Sequence, residues 1–360
     1  MRNGCTRKII LTLPSKQAVR PTIAKLIYVS DQEPGISRVR RGKGFQYILP
    51  DKTVLTDGAE RARVIRLGLP PAYTDVWICA RANGHIQATG MDSASRKQYR
   101  YHDDWRMFRD QQKFDQLAEF ARVLPRIRRR VGALLNTRGK ANIFGKEVAI
   151  AALVRLIDGT AIRIGGRSKA SKGATTLDMK NVRYEDGQLR LRYRAKGGKR
   201  VQCSLRDTRL QKILEVIDDL PGKRLFQYIG IDGEVHSLNS GDVNEWLKQV
   251  SGLDSVSAKM FRTWHGSVAA MEAIRQSEKP TIKIACEAGA KVLRNTPAIC
   301  RKSYIHPEVL ALTELAADER ALILDKANAR INGLRIAENR FAGLMSWAAG
   351  QKPGKPLTVE

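Results

Sequence analysis

The sequence predicts an α+β protein with two domains, a small β-rich N-terminal domain and a larger, mostly helical one. Between Ile36 and Tyr101, short apolar runs alternate with turn residues, as in a series of strands and hairpins. From about residue 106 the apolar residues recur at helical spacing instead, beginning with Phe114, Leu117 and Ala121. A chain of 360 residues is long enough for both domains to bury a core.

We place the domain boundary at this change of period. Residues 21–104 form the predicted N-terminal domain, and residues 105–348 form the predicted helical domain. Residues 1–20 are predicted to be a flexible basic leader. Residues 349–360 are predicted to be a disordered tail, because they are polar and rich in Lys, Gly and Pro.

The charge of the chain is its most unusual property. The formal net charge is +28 and the pI is about 10.2, which indicates a polyanionic partner. No apolar run approaches the ~20 residues that a membrane span needs, and the stretch from Ile9 to Leu13 is too weak for a signal peptide. We therefore expect a nucleic-acid partner, no membrane, and a cytoplasmic, nucleoid-associated location.

The cysteines and histidines do not suggest a metal centre. The five cysteines contain no CxxC pair, and the five histidines show no metal-ligand spacing. Unpaired cysteines in odd number indicate reduced thiols. The chain also lacks a GxxxxGK[ST] motif and an acidic metal cluster. We expect no metal, no ATP and no other cofactor.

In the N-terminal domain the pattern predicts that residues 38–47 lead into a strand, followed by a turn at Pro50-Asp51-Lys52. Asp57 is placed to cap a short helix through Ile65. The runs Val76–Cys79 and His85–Thr89 flank Asn83-Gly84, which is a strong hairpin signal.

The next predicted strand, residues 96–101, is a candidate DNA-binding element. Arg96 and Gln98 share one face with Arg100, and Lys97, Tyr99 and Tyr101 share the other. Charged and amide groups on such a strand can contact phosphates and base edges, while tyrosines contact the backbone. An edge strand with a solvated basic face explains these residues equally well.

The helical domain is predicted to contain one sheet. An almost wholly apolar helix covers Lys146 to Ile157 and ends at Asp158-Gly159. Strands follow between residues 174 and 205, with a hairpin tip at residues 195–199. The later predicted helices cover residues 208–218, 241–251, 259–275 and 281–293, with a last pair over 308–348.

Tyr304 stands among cations in Arg301-Lys302-Ser303-Tyr304, beyond a turn at Asn295-Thr296-Pro297. A phenol has a pKa near 10 and is a poor nucleophile, so attack on a phosphodiester needs cations and an acid for the leaving oxygen. Candidate groups are Arg163 after the core helix, Lys196 at the hairpin tip, and Lys259 with Arg262 on one helix. Each cation could equally be a solvated charge, and the tyrosine a packing residue.

The ordered set of these stretches resembles the type IB DNA topoisomerases, specifically the small poxvirus-like enzymes also found in bacteria. The resemblance runs from about Arg38 to Pro307. The stretches that carry it are residues 42–47 with Lys43 and Tyr47, 77–79, 84–90, 96–101, 124–129 with Arg128 and Arg129, 162–165, 261–265, 295–297 and 301–304.

The resemblance implies that Tyr304 attacks a backbone phosphate and forms a DNA 3′-phosphotyrosine with a free 5′-hydroxyl. It further implies that Arg163 and Arg262 hold the non-bridging oxygens and that Lys196 protonates the leaving 5′-oxygen. Lys259 would support the phosphate or the DNA. Since the covalent bond conserves the phosphodiester energy, resealing would need neither ATP nor a divalent cation.

The chain departs from the poxvirus pattern at two places. Asn295 stands where the poxvirus enzymes have a histidine; its amide can donate a hydrogen bond but carries no charge. The alternative role of Asn295 is to cap the following turn. The segment 165–173 also departs from the aromatic and acidic residues that are usual in the family.

The resemblance implies a fold of the tyrosine recombinase and type IB topoisomerase kind, forming a clamp, as a monomer, around duplex DNA. The rivals are a tyrosine recombinase and a non-catalytic basic nucleic-acid-binding protein. Recombinases typically carry HxxR where this chain has Lys259-Met260-Phe261-Arg262, and their N-terminal domain is helical.

Overall fold

The computed structural model describes residues 25–137, 144–165, 171–185 and 187–350, with side chains to residue 348. The predicted leader, the last ten residues of the predicted tail and residues 166–170 of the segment 165–173 lie outside the described residues. The chain divides into two compact units, one of residues 16–113 and one that contains residues 114–360. The α+β class is confirmed: the first unit is built around a sheet and the second is mostly helical.

The N-terminal unit is a five-stranded antiparallel sheet with the strand order β2-β1-β3-β4-β5. Its strands are β1 (Ile36–Arg41), β2 (Gly44–Ile48), β3 (Thr74–Ile78), β4 (Ile86–Met91) and β5 (Lys97–Tyr101), and helix α1 is Gly58–Arg66. The Asp57 carboxylate caps α1 by accepting from the backbone N–H groups of Ala59 and Glu60, as predicted. A small core, including Ile36, Val64 and Ile78, fills one face.

The run 38–47, predicted to lead into a strand, itself contains most of β1 and β2, because Gly42 adopts a φ of +53° and reverses the chain between them. The hairpin between β3 and β4 is confirmed. Strand β5 is an edge strand, since it pairs with β4 alone.

The second unit packs helices around α3 (Lys146–Thr160), of which nearly every residue from Val148 onward is buried. The other helices are α2 (Asp103–Leu134), α4 (Thr208–Asp218), α5 (Ser240–Ser251), α6 (Ala258–Gln276), α7 (Ile282–Leu293), α8 (Pro297–Ser303), α9 (Pro307–Ala311), α10 (Ala317–Lys326) and α11 (Ile336–Gly350). The N-terminal part of α2 belongs to the first unit. Helix α3 does not end at Asp158-Gly159 as predicted; it continues to Thr160, and Ala161 terminates it in the left-handed conformation.

The predicted sheet of this unit is present as three antiparallel strands, β6 (Val182–Glu185), β7 (Gln188–Arg194) and β8 (Arg200–Leu205). A short hairpin, β9 (Gln227–Ile229) with β10 (Val235–Ser237), was not predicted. Nor was helix α8, which carries the chain to Tyr304. The predicted pair over 308–348 is three helices, because residues 312–316 and 327–335 interrupt it.

No helix among the described residues is long and apolar enough to cross a membrane. The four described cysteines, Cys79, Cys203, Cys286 and Cys300, are buried free thiols, as expected. Within the same residues no group of three His, Cys, Asp or Glu side chains is placed to hold a metal ion.

Candidate active site

Tyr304 directly follows α8 and is half-buried. The hydroxyl of Thr296 caps the helix by accepting from the backbone N–H of Ile299, and Pro297 occupies the first turn. At the other end, the Tyr304 N–H donates to the carbonyl of Cys300 at 2.9 Å. The Tyr304 carbonyl accepts from the Ser267 hydroxyl at 3.1 Å. The backbone of the tyrosine is therefore held by α8 on one side and by α6 on the other.

Gly266 on α6 allows this close approach. A Cβ atom at Gly266 would lie 2.9 Å from Cδ1 of Leu293 and 3.4 Å from Cβ of Tyr304. A side chain there would push apart α6, the end of α7 and the tyrosine. The position of Tyr304 thus depends on a residue one turn from Arg262 on the same helix.

Arg262 links three parts of the site, although it is only 3% exposed. Its Nη1 donates to the carbonyl of Ala161, and its Nη2 donates to the carbonyl of Leu293 at 3.2 Å. Its Cζ lies 4.9 Å from the centroid of the Tyr304 ring. Burial lowers the pKa of Arg262, with the neighbouring Arg163 acting in the same direction. Its Nε is buried and has no hydrogen-bond partner among the described residues.

Arg163 follows the left-handed Ala161, which turns the chain out of α3. Its carbonyl accepts from the N–H of Ala174 at 2.8 Å, and the Ile164 carbonyl accepts from the N–H of Thr175 at the same distance. The backbone on both sides of the Arg163 side chain is thereby fixed.

Two tyrosines lie near these arginines, and their environments differ. Burial raises the pKa of Tyr193 to about 12 despite the nearby arginines. Burial also opposes ionisation of Tyr304, but the cations of Arg262 and Arg163 outweigh it and lower the pKa of the Tyr304 phenol below its usual value of 10. Tyr304 is therefore the one of this pair that is prepared to act as a nucleophile.

Asn295 does not cap the following helix, because Thr296 does so. Its side-chain Nδ2 is buried and has no hydrogen-bond partner within the described residues. Buried donors are nearly always paired in folded proteins. Asn295 and Arg262 therefore each keep one donor that no described residue uses.

Arg294 was not among the predicted site residues. It ends α7 in the left-handed conformation, with φ at 51°. Its Nη1 donates to the carbonyl of Thr160 at 2.5 Å and to that of Val292 at 3.1 Å. No sequence pattern predicts this contact, because Thr160 and Arg294 are 134 residues apart.

Two family models match most of the chain. One is the eukaryotic DNA topoisomerase I catalytic core, which matches residues 102–310. The other is the bacterial DNA topoisomerase IB N-terminal domain, which matches residues 44–92. The first alone covers more than half of the chain.

This chain belongs to the type IB DNA topoisomerases. It is similar to the DNA topoisomerase 1B of Acanthamoeba polyphaga mimivirus, with 27% identity over 297 residues, 77% of this chain and 87% of the viral protein. The resemblance seen in the sequence is confirmed, and the chain is an isomerase that acts on DNA.

Solved structures of the XerH site-specific recombinase are also similar. One is a post-cleavage complex with palindromic difH substrate (16% identity, TM-score 0.34, 50% of this chain and 46% of that chain). The other is a pre-cleavage complex with difH (17% identity, TM-score 0.33, 50% of this chain and 48% of that chain). This chain thus spans about half the length of each recombinase, and TM-scores this low carry no argument about the topoisomerase.

Two lysines that the sequence assigned to the topoisomerase reaction lie exposed. Lys196 is at the tip between β7 and β8, where Gly197 and Gly198 have positive φ values of 79° and 73°. Lys259 is exposed on α6, whereas Arg262, three residues later, is buried. Neither lysine makes a hydrogen bond or ion pair with any described residue. Arg163, Arg262 and Tyr304 are therefore brought together, whereas no contact among the described residues joins Lys196 or Lys259 to them.

The predicted DNA-binding strand of the N-terminal unit has partners for most of its polar side chains. Arg96 and Gln98 both bind the carboxylate of Asp92, and Lys97 binds Asp31. Tyr99 and Tyr101 stack on each other, with ring centroids 5.9 Å apart, and both are exposed. Of the two other predicted contacts, Lys43 is exposed at the β1–β2 turn, and Tyr47 packs against the core of the unit. Arg96 and Lys97 remain exposed despite these ion pairs, as do Tyr99, Tyr101 and Lys43.

Arg128, also predicted to bind DNA, lies in a buried ionic network of the catalytic unit. Its guanidinium donates to both carboxylate oxygens of Asp158 and to both of Glu338, with a further contact to the Gly333 carbonyl. Asp158 also binds His265 at 3.1 Å. These contacts use all five N–H groups of Arg128, which favours a structural role. Arg129, the next residue, is exposed.

Proposed function

We propose that this topoisomerase relaxes supercoiled duplex DNA by transient cleavage of one strand through Tyr304. The Tyr304 oxygen forms a bond to phosphorus as the bond to the 5′-oxygen breaks, giving a 3′-phosphotyrosyl linkage. The cut strand rotates, and the 5′-hydroxyl attacks the linkage to restore the DNA and the phenol. The bond energy is kept throughout, so the proposal includes no ATP, metal or other cofactor.

The observation that carries this proposal is the position of Tyr304 beside Arg262, whose Cζ lies 4.9 Å from the centroid of the tyrosine ring. The lowered pKa of Tyr304, in contrast to the raised pKa of Tyr193, supports it. Arg163 and Arg262 are suited to hold the non-bridging oxygens of the phosphate, where negative charge grows in the transition state. The unpaired Nε of Arg262 and Nδ2 of Asn295 supply further donors for those oxygens.

The decisive experiment is relaxation of supercoiled plasmid in EDTA and without ATP. The wild-type protein should relax the plasmid, and Tyr304→Phe should not, although it should still bind duplex DNA. Tyr193→Phe is the matched control, since it removes a neighbouring hydroxyl whose pKa is raised. Relaxation by Tyr304→Phe would refute the assignment of the nucleophile. Transfer of strands between two duplexes instead of relaxation would favour a recombinase.

We assign to Lys196 the protonation of the leaving 5′-oxygen. Its position on an exposed glycine turn gives its long side chain the reach for this role. Lys196→Ala should slow cleavage by at least ~100-fold. Sulfur in place of the bridging 5′-oxygen should remove most of this defect, because a thiolate leaves without protonation. An equal defect on the sulfur substrate would show that Lys196 only contacts the phosphate.

The proposed substrate is duplex DNA held by a monomer, with both units closing around it as a clamp. The exposed tyrosines of β5 and the net charge of +28 support this substrate. Light scattering with a duplex that accommodates one protein molecule should give one protein per duplex.

A further inference from the structure

A basic cleft adjoins Asn295 in the catalytic unit. Lys199 and Arg200, from the start of β8, line it together with Lys291 and Arg294, from the end of α7. Asn295 itself contributes to the lining. Most of the cations in this cleft have no part in the proposed chemistry.

The charge in this cleft is unbalanced. Glu287 is the acidic residue in its lining, against four cations. Lys199, Arg200 and Lys291 are exposed and form no ion pair with any residue in the described part of the chain. Like charges so close together repel one another in the free protein. Such a cleft is complementary to an anion, and the anion that this family handles is the DNA backbone.

The hairpin that carries the cleft also indicates which part of the DNA it meets. Lys196, proposed above to protonate the leaving oxygen, is at the tip, and Lys199 and Arg200 follow it into β8. Lys199 is also close enough to α8 for its charge to lower the pKa of the Cys300 thiol against the larger effect of burial. Cys300 is one turn of helix before Tyr304.

We propose that this cleft binds the backbone phosphate next to the scissile one, on the strand that leaves with the 5′-hydroxyl. The inference rests on the proposed function, because it assumes cleavage at Tyr304. A phosphate held there keeps the 5′-hydroxyl end near the phosphotyrosine. The cleft thereby slows rotation of the cut strand and speeds religation.

The test uses the full-length protein and duplexes in which single phosphates near the cut, on the leaving strand or on the covalently held strand, are replaced one at a time by uncharged methylphosphonates. Religation is followed in a single turnover after the covalent complex has formed. With wild-type protein, one position close to the cut should slow religation by about tenfold or more, the scale for loss of a charged hydrogen bond. The cleft variant is Lys199→Ala/Lys291→Ala. Its religation should be slow on normal DNA, and the same methylphosphonate should slow it little further.

The control is Lys223→Ala/Lys326→Ala, which removes the same charge from exposed positions elsewhere in the unit. This control variant should religate at the wild-type rate on normal DNA and on every methylphosphonate duplex. A second measurement counts the supercoils removed per cleavage in single DNA molecules. The cleft variant should remove more turns per event than wild type, and the control variant should not.

The proposal would be overturned if each methylphosphonate slowed religation equally in the wild type and the cleft variant. It would also be overturned if the two proteins differed only at methylphosphonates on the covalently held strand. These outcomes are distinct from failure of the proposed function. If Tyr304 forms no covalent complex with normal DNA, both proposals fall. If the complex forms but the cleft variant religates like wild type, only the cleft assignment is wrong.

Discussion

Arg294 donates a hydrogen bond from Nη1 to the carbonyl oxygen of Thr160 at 2.5 Å. The next carbonyl along the chain, that of Ala161, accepts from Arg262. Two arginines from α6 and the end of α7 therefore hold consecutive carbonyls where α3 ends, just before Arg163. The position of Arg163 is therefore set by the helices that carry Arg262 and Arg294.

We predict that Arg294→Ala lowers the cleavage rate roughly 10- to 100-fold with little change in DNA affinity, because a small displacement of Arg163 is costly in the transition state. Arg294→Lys should restore part of the rate, since it keeps one donor and the charge. In the double variant with Arg163→Ala, the loss should be no larger than for Arg163→Ala alone. Additive losses in single-turnover cleavage would show that Arg294 acts independently of Arg163.

The pH dependence of cleavage should report the ionisation of Tyr304. Because Arg262 and Arg163 lower the pKa of its phenol, the wild-type rate should rise with pH through a midpoint below 10. In Arg163→Ala the midpoint should move upward, since burial then opposes ionisation with less compensation. Single-turnover rates across the alkaline range measure this shift. An unchanged midpoint would mean that Arg163 does not influence the phenol.

Asn295→Ala should slow cleavage and religation together, by about 5- to 150-fold, as expected for loss of a hydrogen bond to a charged acceptor. Its buried Nδ2 has no partner in the free protein, so its removal should leave the melting temperature unchanged or raise it. Asn295→His should be tolerated, and its rate should rise below about pH 6.5 where imidazole gains charge. A lowered melting temperature with a wild-type cleavage rate would make Asn295 a structural residue.

The sequence predicted those parts of the molecule that depend on local pattern. The Asp57 cap, the β3–β4 hairpin and the buried helix α3 follow from neighbouring residues. The roles of Arg128 and Arg294 could not be predicted, because their partners Glu338 and Thr160 are 210 and 134 residues away. The chain reversal at Gly42, which separates β1 from β2, was not predicted either.

The ionic network around Asp158 should matter for stability rather than catalysis. Asp158→Ala leaves the buried Arg128 without one of its two carboxylates and should cost about 3–5 kcal/mol. Glu147→Ala is the matched control: it breaks an exposed pair between the same two helices, with Arg130, and should cost at most about 1 kcal/mol. Urea denaturation of wild type and both variants measures the loss in the free energy of unfolding.

The difference in the free energy of unfolding between wild type and Asp158→Ala should depend on pH. Burial raises the pKa of Asp158, but His265 and Arg128 outweigh it and hold the pKa well below its ordinary value. The ionised Asp158 therefore makes its full contribution to the free energy of unfolding above the unfolded-state pKa of about 3.9. That contribution is lost as the pH falls through the lower folded-state pKa. The gap between wild type and Asp158→Ala should narrow in acid. A constant gap would exclude the ion pair as its source.

The unpaired donors of Arg262 and Asn295 have a consequence for the resting enzyme. Each buried donor without a partner destabilises the free protein by about 1–3 kcal/mol. Small oxyanions such as phosphate, sulfate or vanadate can fill the same positions as the scissile group and relieve that cost. The chemical identity of the buffer anion should then govern activity at constant ionic strength, with tetrahedral oxyanions competing against DNA where chloride does not.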